Sequence, residues 1–409
     1  MTTTASVPAA ATGGHERGTT RYRRLGAALW CAGLATFVLV YCVQGLLPTL
    51  AAEFGVSSST SSLALSATTG TLALAIVPLS AVAEPWGRAR VMTVALATSA
   101  VLGVLAPLAP SFGVLVGIRA LQGIALAALP ALAMAHLTRE VAPRALGGAV
   151  GLLIAGNTLG GLSGRLVAGF VAEVGGWRVA LAVVGGLSLA CTVAFRVLLP
   201  PPTAPAPPRV RLRDLGGPLR AHLADPGLRC LFAIGFLLMA AFVTVYNYLG
   251  FRLLAAPFGL PAALVGLIFL GYLAGTWSST TVGRLGDRFG RRRVLWAAVA
   301  LALAAVLLTL PTWLPVVLVG LVLFTVGFFG AHSVASSWVG RRAVAVHGPA
   351  SALYLFAYYA GSSVGGSLGG VAYDHLGWPG VVGYVAALLV GAVGLALALR
   401  RIPPPVAAT

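Results

Sequence analysis

The sequence predicts an all-α membrane protein of twelve transmembrane helices, arranged as two pseudo-symmetric six-helix bundles. Three observations carry that prediction. The 409 residues are 58% hydrophobic and only 9% charged, with a mean hydropathy of +0.95, more apolar surface than a soluble domain can hide. The apolar residues fall into twelve separate runs, most of them long enough to cross a bilayer. The third is a repeat: a hard, charged, glycine-bearing turn, Gly283-Arg284-Leu285-Gly286-Asp287-Arg288-Phe289-Gly290-Arg291-Arg292-Arg293, has a weaker copy in Ser80-Ala81-Val82-Ala83-Glu84-Pro85-Trp86-Gly87-Arg88-Ala89-Arg90. Each copy sits between two apolar runs.

Crossing about 30 Å of hydrocarbon at about 1.5 Å per residue takes roughly 17–25 residues. Helices are expected because an open strand would leave backbone groups unsatisfied in lipid. Residues 1–24 are polar, end in Arg21, Arg23 and Arg24, and form a tail. Span 1 is residues 25–48, too long for a signal-peptide core and therefore read as a membrane helix rather than a cleaved leader. Spans 2 to 6 follow at 62–83, 91–109, 112–137, 146–170 and 178–199, so residues 25–199 make the first bundle. Residues 200–229 are a linker. Pro200, Pro201, Pro202, Pro205, Pro207 and Pro208 stiffen its start, since proline-rich segments favour extended polyproline II. An amphipathic piece around 212–223 is expected along the membrane surface. Spans 7 to 12, at 230–252, 262–283, 294–311, 314–337, 350–371 and 380–399, make the second bundle, residues 230–399. Residues 400–409 form a second tail.

The charge of +18 comes from 27 basic residues, all arginine. In a soluble protein it would suggest nucleic acid. Here the arginines collect in alternate loops: the N-terminal tail, the connections after spans 2, 4, 8 and 10, the linker and the C-terminal tail. The other loops offer little beyond Arg178 and Arg252. That bias places both termini in the cytoplasm, requires an even number of crossings, and removes nucleic acid as a partner. Cys31, Cys42, Cys191 and Cys230 lie in or beside apolar runs with neither ligand spacing nor disulfide logic, and are expected to pack. An intramembrane enzyme would need a nucleophile–base pair or metal ligands inside the bilayer. No His-Glu-x-x-His occurs and the histidines are scattered, so neither a catalytic residue, nor a metal, nor a cofactor is expected.

The halves repeat beyond the charged loop. Gly156-Asn157-Thr158-Leu159-Gly160-Gly161-Leu162-Ser163-Gly164 in span 5 matches Gly361-Ser362-Ser363-Val364-Gly365-Gly366-Ser367-Leu368-Gly369 in span 11, and each is followed by Gly-Trp, at Gly176-Trp177 and Gly377-Trp378. Glycines every fourth residue give a flat face for tight helix contact. Together with Arg119-Ala120-Leu121-Gln122-Gly123 in span 4, these motifs resemble those of the major facilitator superfamily over about residues 25–400. The resemblance is strongest to its bacterial drug/proton antiporter branch and to arabinose-efflux-type inner-membrane permeases. Residues 119–123 are similar to the Arg-x-x-Gln-Gly signature of that branch. Two departures stand out: the span 5 glycines lack a following proline, and the first loop has Glu84 for aspartate and Pro85 where arginine is usual.

The resemblance implies a monomeric transporter in the bacterial cytoplasmic (inner) membrane whose partners are a small organic molecule, protons and the bilayer. Export of drugs, sugars or metabolites by alternating access is the leading expectation. Uptake or uncoupled facilitation is the alternative, and a non-transporting sensor or enzyme the remote one. In the loops, Glu84, Gly87 and Arg88, with Gly283, Asp287, Arg288, Gly290 and Arg291, are implied to latch the cytoplasmic side. Glu84 would meet the start of span 11 near Pro349, and Asp287 the start of span 5. Topological anchoring by arginine is the plainer reading.

Arg119 and Arg165 sit inside apolar spans, where an ionisable side chain marks function by default. Arg119, with Gln122 and Gly123, either couples protons or gates near span 1. Alternatively it is satisfied by backbone carbonyls and by Gln44 or Gln122, tying spans 1 and 4. Arg165 is either functional or snorkels to the outer surface, and Arg252 is expected to snorkel. None of the nine acidic residues lies at a helix centre. Glu53 beyond span 1 and Asp374 at the outer end of span 11 are the nearest carboxylates. His332 in span 10 and His136 in span 4 can titrate near neutrality. Each is either structural or a proton carrier. In the family, spans 1, 4, 7 and 10 line the cavity with 2, 5, 8 and 11 beside them. The candidate substrate residues are then Tyr41, Gln44, Asn157, Tyr246, Asn247, Tyr248, Trp277, Tyr354 and Tyr358, with an interfacial aromatic belt as the rival reading for the tyrosines. Such a cavity suits neutral, amphipathic or anionic molecules better than dications.

Overall fold

A computed structural model describes residues 14–203, 216–343 and 347–403, without the side chains of 81–85 and of His347. Among the described residues nine helices are long and apolar enough to cross a membrane. Two of these are double: Pro143–Leu198 breaks at Gly176 (φ 76°) and Gly348–Ala398 at Gly377 (φ 61°). Each therefore holds two spans, and Arg291–Leu307, a 17-residue helix at the short end of the crossing range, supplies the twelfth. The remaining spans are Thr20–Phe54, Leu63–Trp86, Arg88–Leu108, Phe112–Glu140, Pro226–Leu254, Ala262–Phe289 and Leu314–Arg342. Among the described residues there is no strand, only an isolated bridge between His15 and Val141.

Spans 1 and 7 start before their apolar runs, at Thr20 and Pro226, because polar caps rather than hydropathy begin them. Thr19 caps span 1 by accepting from the Tyr22 N–H, and Asp225 caps span 7 by accepting from the Leu228 N–H. Such caps satisfy backbone donors that the first turn leaves free. The linker helix is Gly216–Ala224, with His222 buried and Leu219 facing a cavity between the halves. Its buried side rests on the bundle. Residues 204–215, including Asp214 and the start of the expected amphipathic piece, lie outside the description.

The two halves are built around the same seam. A Cβ added at Gly156, Gly160 or Gly164 would strike the backbone of Trp30, Leu34 or Val38 in span 1. At Gly361, Gly365 and Gly369 it would strike Phe236, Ala240 and Thr244 in span 7. Spans 5 and 1, and spans 11 and 7, thus touch backbone to backbone, the contact that small residues permit between membrane helices. The charged loops repeat as well. Gly87 and Gly290 end spans 2 and 8 at φ 85° and 89°, a backbone region that side-chain-bearing residues avoid.

Outward-facing apolar residues such as Leu74, Leu108, Val174 and Leu376 are exposed, as a lipid-facing surface requires. Trp277 belongs to that surface. It is 62% exposed, on one stripe with Leu270 and Leu273, so the expectation that it lines the substrate cavity is corrected. It lies on the opposite side of its helix from Gly275 and Ser278, which pack against span 10.

Candidate functional site

Span 1 is not a continuous α-helix. It tightens to a 3₁₀ turn at Cys42–Leu46, which releases carbonyls that α-helical N–H groups would otherwise bind. Inside hydrocarbon these need another donor. Arg119, 1% exposed, supplies it. Its Nη1 donates to the Leu39 carbonyl (2.7 Å) and its Nη2 to that of Val40 (2.8 Å). Nε donates to the Ala64 carbonyl in span 2 (3.0 Å), and Nη1 also to Gln122 Oε1 (2.8 Å). Gln122 Nε2 in turn donates to Ser99 in span 3 at 3.2 Å. Gly123 allows the Thr68 backbone against span 4, where any Cβ would collide. The whole Arg-x-x-Gln-Gly segment therefore ties spans 1 to 4 together, the packing alternative for these residues. Gln44 is not among the Arg119 partners.

Gln44 serves Arg165 instead. Arg165 Nε donates to Gln44 Oε1 (2.6 Å) and Nη1 to the Gly161 carbonyl (2.6 Å). Gln44 Nε2 passes the contact to Asn247 Oδ1 in span 7 at 2.7 Å. The guanidinium carbon lies 4.0 Å from the Tyr41 ring centre, 4.4 Å from Tyr272 and 5.3 Å from Phe269. Desolvated contacts of this kind are worth about 2 kcal/mol or more each, against a burial penalty of several kcal/mol per ion. At 2% exposure Arg165 does not snorkel; it is held at the centre by aromatic faces.

A cavity of about 360 Å³ opens beside it, walled by Tyr41, Asn157, Arg165, His332 and Tyr358 together with Phe37, Phe242, Tyr272, Phe329 and Tyr359. Tyr354 stands behind, its hydroxyl 2.9 Å from His332 Nδ1. Three of the tyrosine and asparagine candidates are in the packing instead. Tyr246 bonds Thr325 at 2.7 Å within an aromatic cluster, Tyr248 donates to the Gly366 carbonyl at 2.8 Å, and Asn247 meets Gln44. Reading the sequence missed Phe242, Tyr272 and Phe329. The one-turn spacing of Phe242 with Tyr246, and of Phe324 with Phe328, was the available signal for an aromatic core, since i and i+4 share a face.

The cavity continues toward the arginine-rich face. A second space of about 480 Å³, walled by Ser80, Arg88, Thr138, Leu219 and Pro349, shares Pro130, Met134 and Leu355 with the first. The opposite face is closed by contacts between the halves. Asp374 accepts from the Ser59 hydroxyl and from the Ser59 N–H (3.2 Å). Glu173 accepts from the Ala263 N–H (2.6 Å), and Ser363 donates to the Ser66 carbonyl (2.7 Å). Glu53 pairs with Arg178 at 2.8 Å at the rim. Glu53 and Asp374 thus sit in polar rim contacts outside the cavity. Arg252 binds the carbonyls of Thr309, Leu310 and Pro311, capping the end of span 9 rather than snorkelling free.

On the arginine-rich face, Asp287 pairs with Arg291 (2.6 Å) and Arg341 (3.3 Å), both in the second half. The expected contact with the start of span 5 is not made in this conformation. Pro349 borders the open space, and the Glu84 side chain lies outside the description. Arg88 donates to the Ala135 carbonyl at 2.7 Å and Arg288 lies over the Phe289 ring. Residues Gly361–Gly365 and Gly365–Gly369 spell Gly-x-Ser-x-Gly, but on a helix rather than the strand-to-helix turn that a nucleophile elbow requires, and the Ser363 hydroxyl is spent on Ser66.

A duplicated helical bundle in which a central cavity reaches one face and is sealed from the other is the architecture of a membrane transporter. The chain belongs to the Major Facilitator Superfamily, whose family model matches residues 29–282 and 253–409. It is 41% identical over 386 residues to the uncharacterized MFS-type transporter YybF of Bacillus subtilis, covering 94% of this chain and 96% of that one. It is 42% identical over 386 residues to the inner membrane transport protein YnfM of Escherichia coli, covering 94% and 93%. Two solved structures share the fold. A bacterial homolog of the human lysosomal transporter Spinster, inward-facing and occupied, superposes with a TM-score of 0.78 at 16% identity over 94% of this chain and 98% of that one. The nucleoside transporter NupG superposes at 0.74 and 15% identity over 92% and 99%.

Proposed function

We propose that this protein is a secondary transporter of the bacterial cytoplasmic membrane that exports small organic molecules by alternating access, in exchange for protons. The observation that carries the reading is the pair of cavities that share Pro130, Met134 and Leu355 and lead from Arg165 toward the arginine-rich face, opposite a face where the halves bond to each other. With arginines on the cytoplasmic side, both termini are cytoplasmic and the conformation is inward-facing, the state also named for the Spinster homolog. Residues 25–199 and 230–399 act as the two rocking units, linked by 200–229, in a single monomer. Duplicated bundles place substrate near the midplane between them, where the Tyr41, Arg165 and Tyr358 side chains converge.

Export and the proton draw on the resemblance in residues 119–123. His332 is the imidazole in the cavity wall and no carboxylate lines that wall among the described residues, so the proton step is assigned to His332. That same lack favours a second reading, an uncoupled facilitator or uptake permease. Counterflow in proteoliposomes with and without a pH gradient separates them. Export predicts accumulation driven by the gradient and lost in His332→Gln; transport indifferent to the gradient removes the antiporter and leaves the facilitator.

A further inference from the structure

We infer that Arg165 is the headgroup site of the cavity and that the substrate it selects is a small organic monoanion, a carboxylate carried on an aromatic or apolar body. The inference rests on the transport reading above. A guanidinium has five N–H donors; Arg165 uses one on Gln44 and one on Gly161. The other three, both of Nη2 among them, have no partner among the described residues, although the side chain is 2% exposed and forms part of the cavity wall.

Arg119 provides the internal contrast. It places four hydrogen bonds on fixed protein acceptors and lines no part of that cavity. Arg165 has no carboxylate partner among the described residues, so its charge is balanced only by ring faces and two neutral acceptors. A planar fork with unused parallel donors matches a carboxylate bidentately. The walls around it, Phe37, Tyr41, Phe242, Tyr272 and Phe329, give an apolar body somewhere to stack. One fixed cation in about 360 Å³ selects a singly charged, compact molecule. An organic cation would meet Arg165 unscreened.

The probes are benzoate, 4-hydroxybenzoate and indole-3-acetate, each compared with its own neutral amide, on the purified full-length protein by titration calorimetry. At least one acid is expected to bind about tenfold or more tighter than its amide, the size of one charge-assisted contact. Arg165→Gln should erase that preference, while Arg165→Lys, which keeps the charge, should retain part of it. A purely structural Arg165 would weaken acid and amide alike. Acids that bind no better than their amides, or a preference that survives Arg165→Gln, overturn the proposal; the wild-type comparison decides even if that variant does not fold. Counterflow of the same compounds keeps the two readings apart. Amides exchanged as fast as acids leave transport standing and remove the anion site. Acids that bind through Arg165 without exchanging leave the site and remove transport.

Discussion

Arg119 and Arg165 are equally withdrawn from solvent, yet the first is surrounded by carbonyls and the second by rings and open cavity. Removing the Arg119 side chain strands the carbonyls of Leu39, Val40 and Ala64, each buried acceptor costing about 1–3 kcal/mol. That sum is comparable with the whole stability of many domains, so Arg119→Ala should yield little monodisperse protein in size-exclusion chromatography. Arg119→Lys should recover only part, since a single ammonium cannot reach acceptors on two helices in the geometry of a planar fork. A well-folded Arg119→Ala protein that had lost only gradient-driven transport would restore the coupling role. Both arginines were legible in the sequence, because a charge inside an apolar run is costly whatever surrounds it. For Arg119 the kind of partner was legible, backbone carbonyls and Gln122, but not which carbonyls, and for Arg165 no partner was. Arg119 bonds to the backbone of two apolar turns, which carry no distinguishing side chain, and Gln44, inside the 3₁₀ turn at Cys42–Leu46, serves Arg165.

Along span 5, two glycines in similar sequence surroundings carry opposite expectations. A Cβ at Gly160 would lie 2.6 Å from the Leu34 carbonyl oxygen, whereas Gly151 has nothing nearby. Gly160→Ala should destabilise by about 1–3 kcal/mol, since a backbone neighbour cannot turn aside, and Gly151→Ala should stabilise by about 0.5–1 kcal/mol through helix propensity. Thermal unfolding of the two variants checks the pair; equal shifts would mean the seam is looser than described. The four-residue glycine period announced a tight face, but only the structure supplied spans 1 and 7 as its partners. At the start of span 7, Asp225 both caps the helix and accepts from Arg342 at 2.7 Å. Burial alone would raise its carboxyl, but the Arg342 hydrogen bond, the Leu228 and Gly227 N–H groups and the guanidinium charge together hold it below the ordinary carboxylate value. A depressed folded-state pKa contributes stability that is full above the unfolded value of about 3.9 and fades as pH falls through the folded value. The melting difference between wild type and Asp225→Ala should accordingly be constant from pH 7 to about 5 and shrink below about 4. A difference that grew on acidification would have the wrong sign for this cap.

At the scale of the whole molecule, the duplication was visible in the sequence because the same loop, glycine period and Gly-Trp pair occur twice. The conformation was not, because under the proposed alternating access one sequence serves both ends of the cycle, and the residue pattern does not say which polar groups meet in a given state. The crossed contacts expected of Asp287 belong to a molecule shut on its arginine-rich face. Here Asp287 is engaged inside its own half, and the closing contacts lie on the other side, at Ser59–Asp374, Ala263–Glu173 and Ser66–Ser363. If these hold the equilibrium, removing one should shift it. Asp374 accepts two hydrogen bonds from Ser59 at an exposed rim, and a charged contact discounted for solvent is worth about 1 kcal/mol. Since 1.4 kcal/mol is a tenfold change, Asp374→Ala should lower the population open to the arginine-rich face several-fold only if that population is not already dominant. A starting preference of about 1 kcal/mol or less gives a visible response, and a larger one requires pairing it with Ser363→Ala. Ser351, which lines the path on the arginine-rich side, can report this as a single cysteine after replacement of Cys31, Cys42, Cys191 and Cys230. Maleimide labelling from that side should slow in Asp374→Ala, and further in the double variant, while a cysteine at Ser62, buried on the sealed side here, becomes faster from the opposite side. Unchanged rates at both positions in the double variant would mean that the sealed face is held by helix packing around Gln44 and Asn247, and that its polar rim follows the motion without setting it.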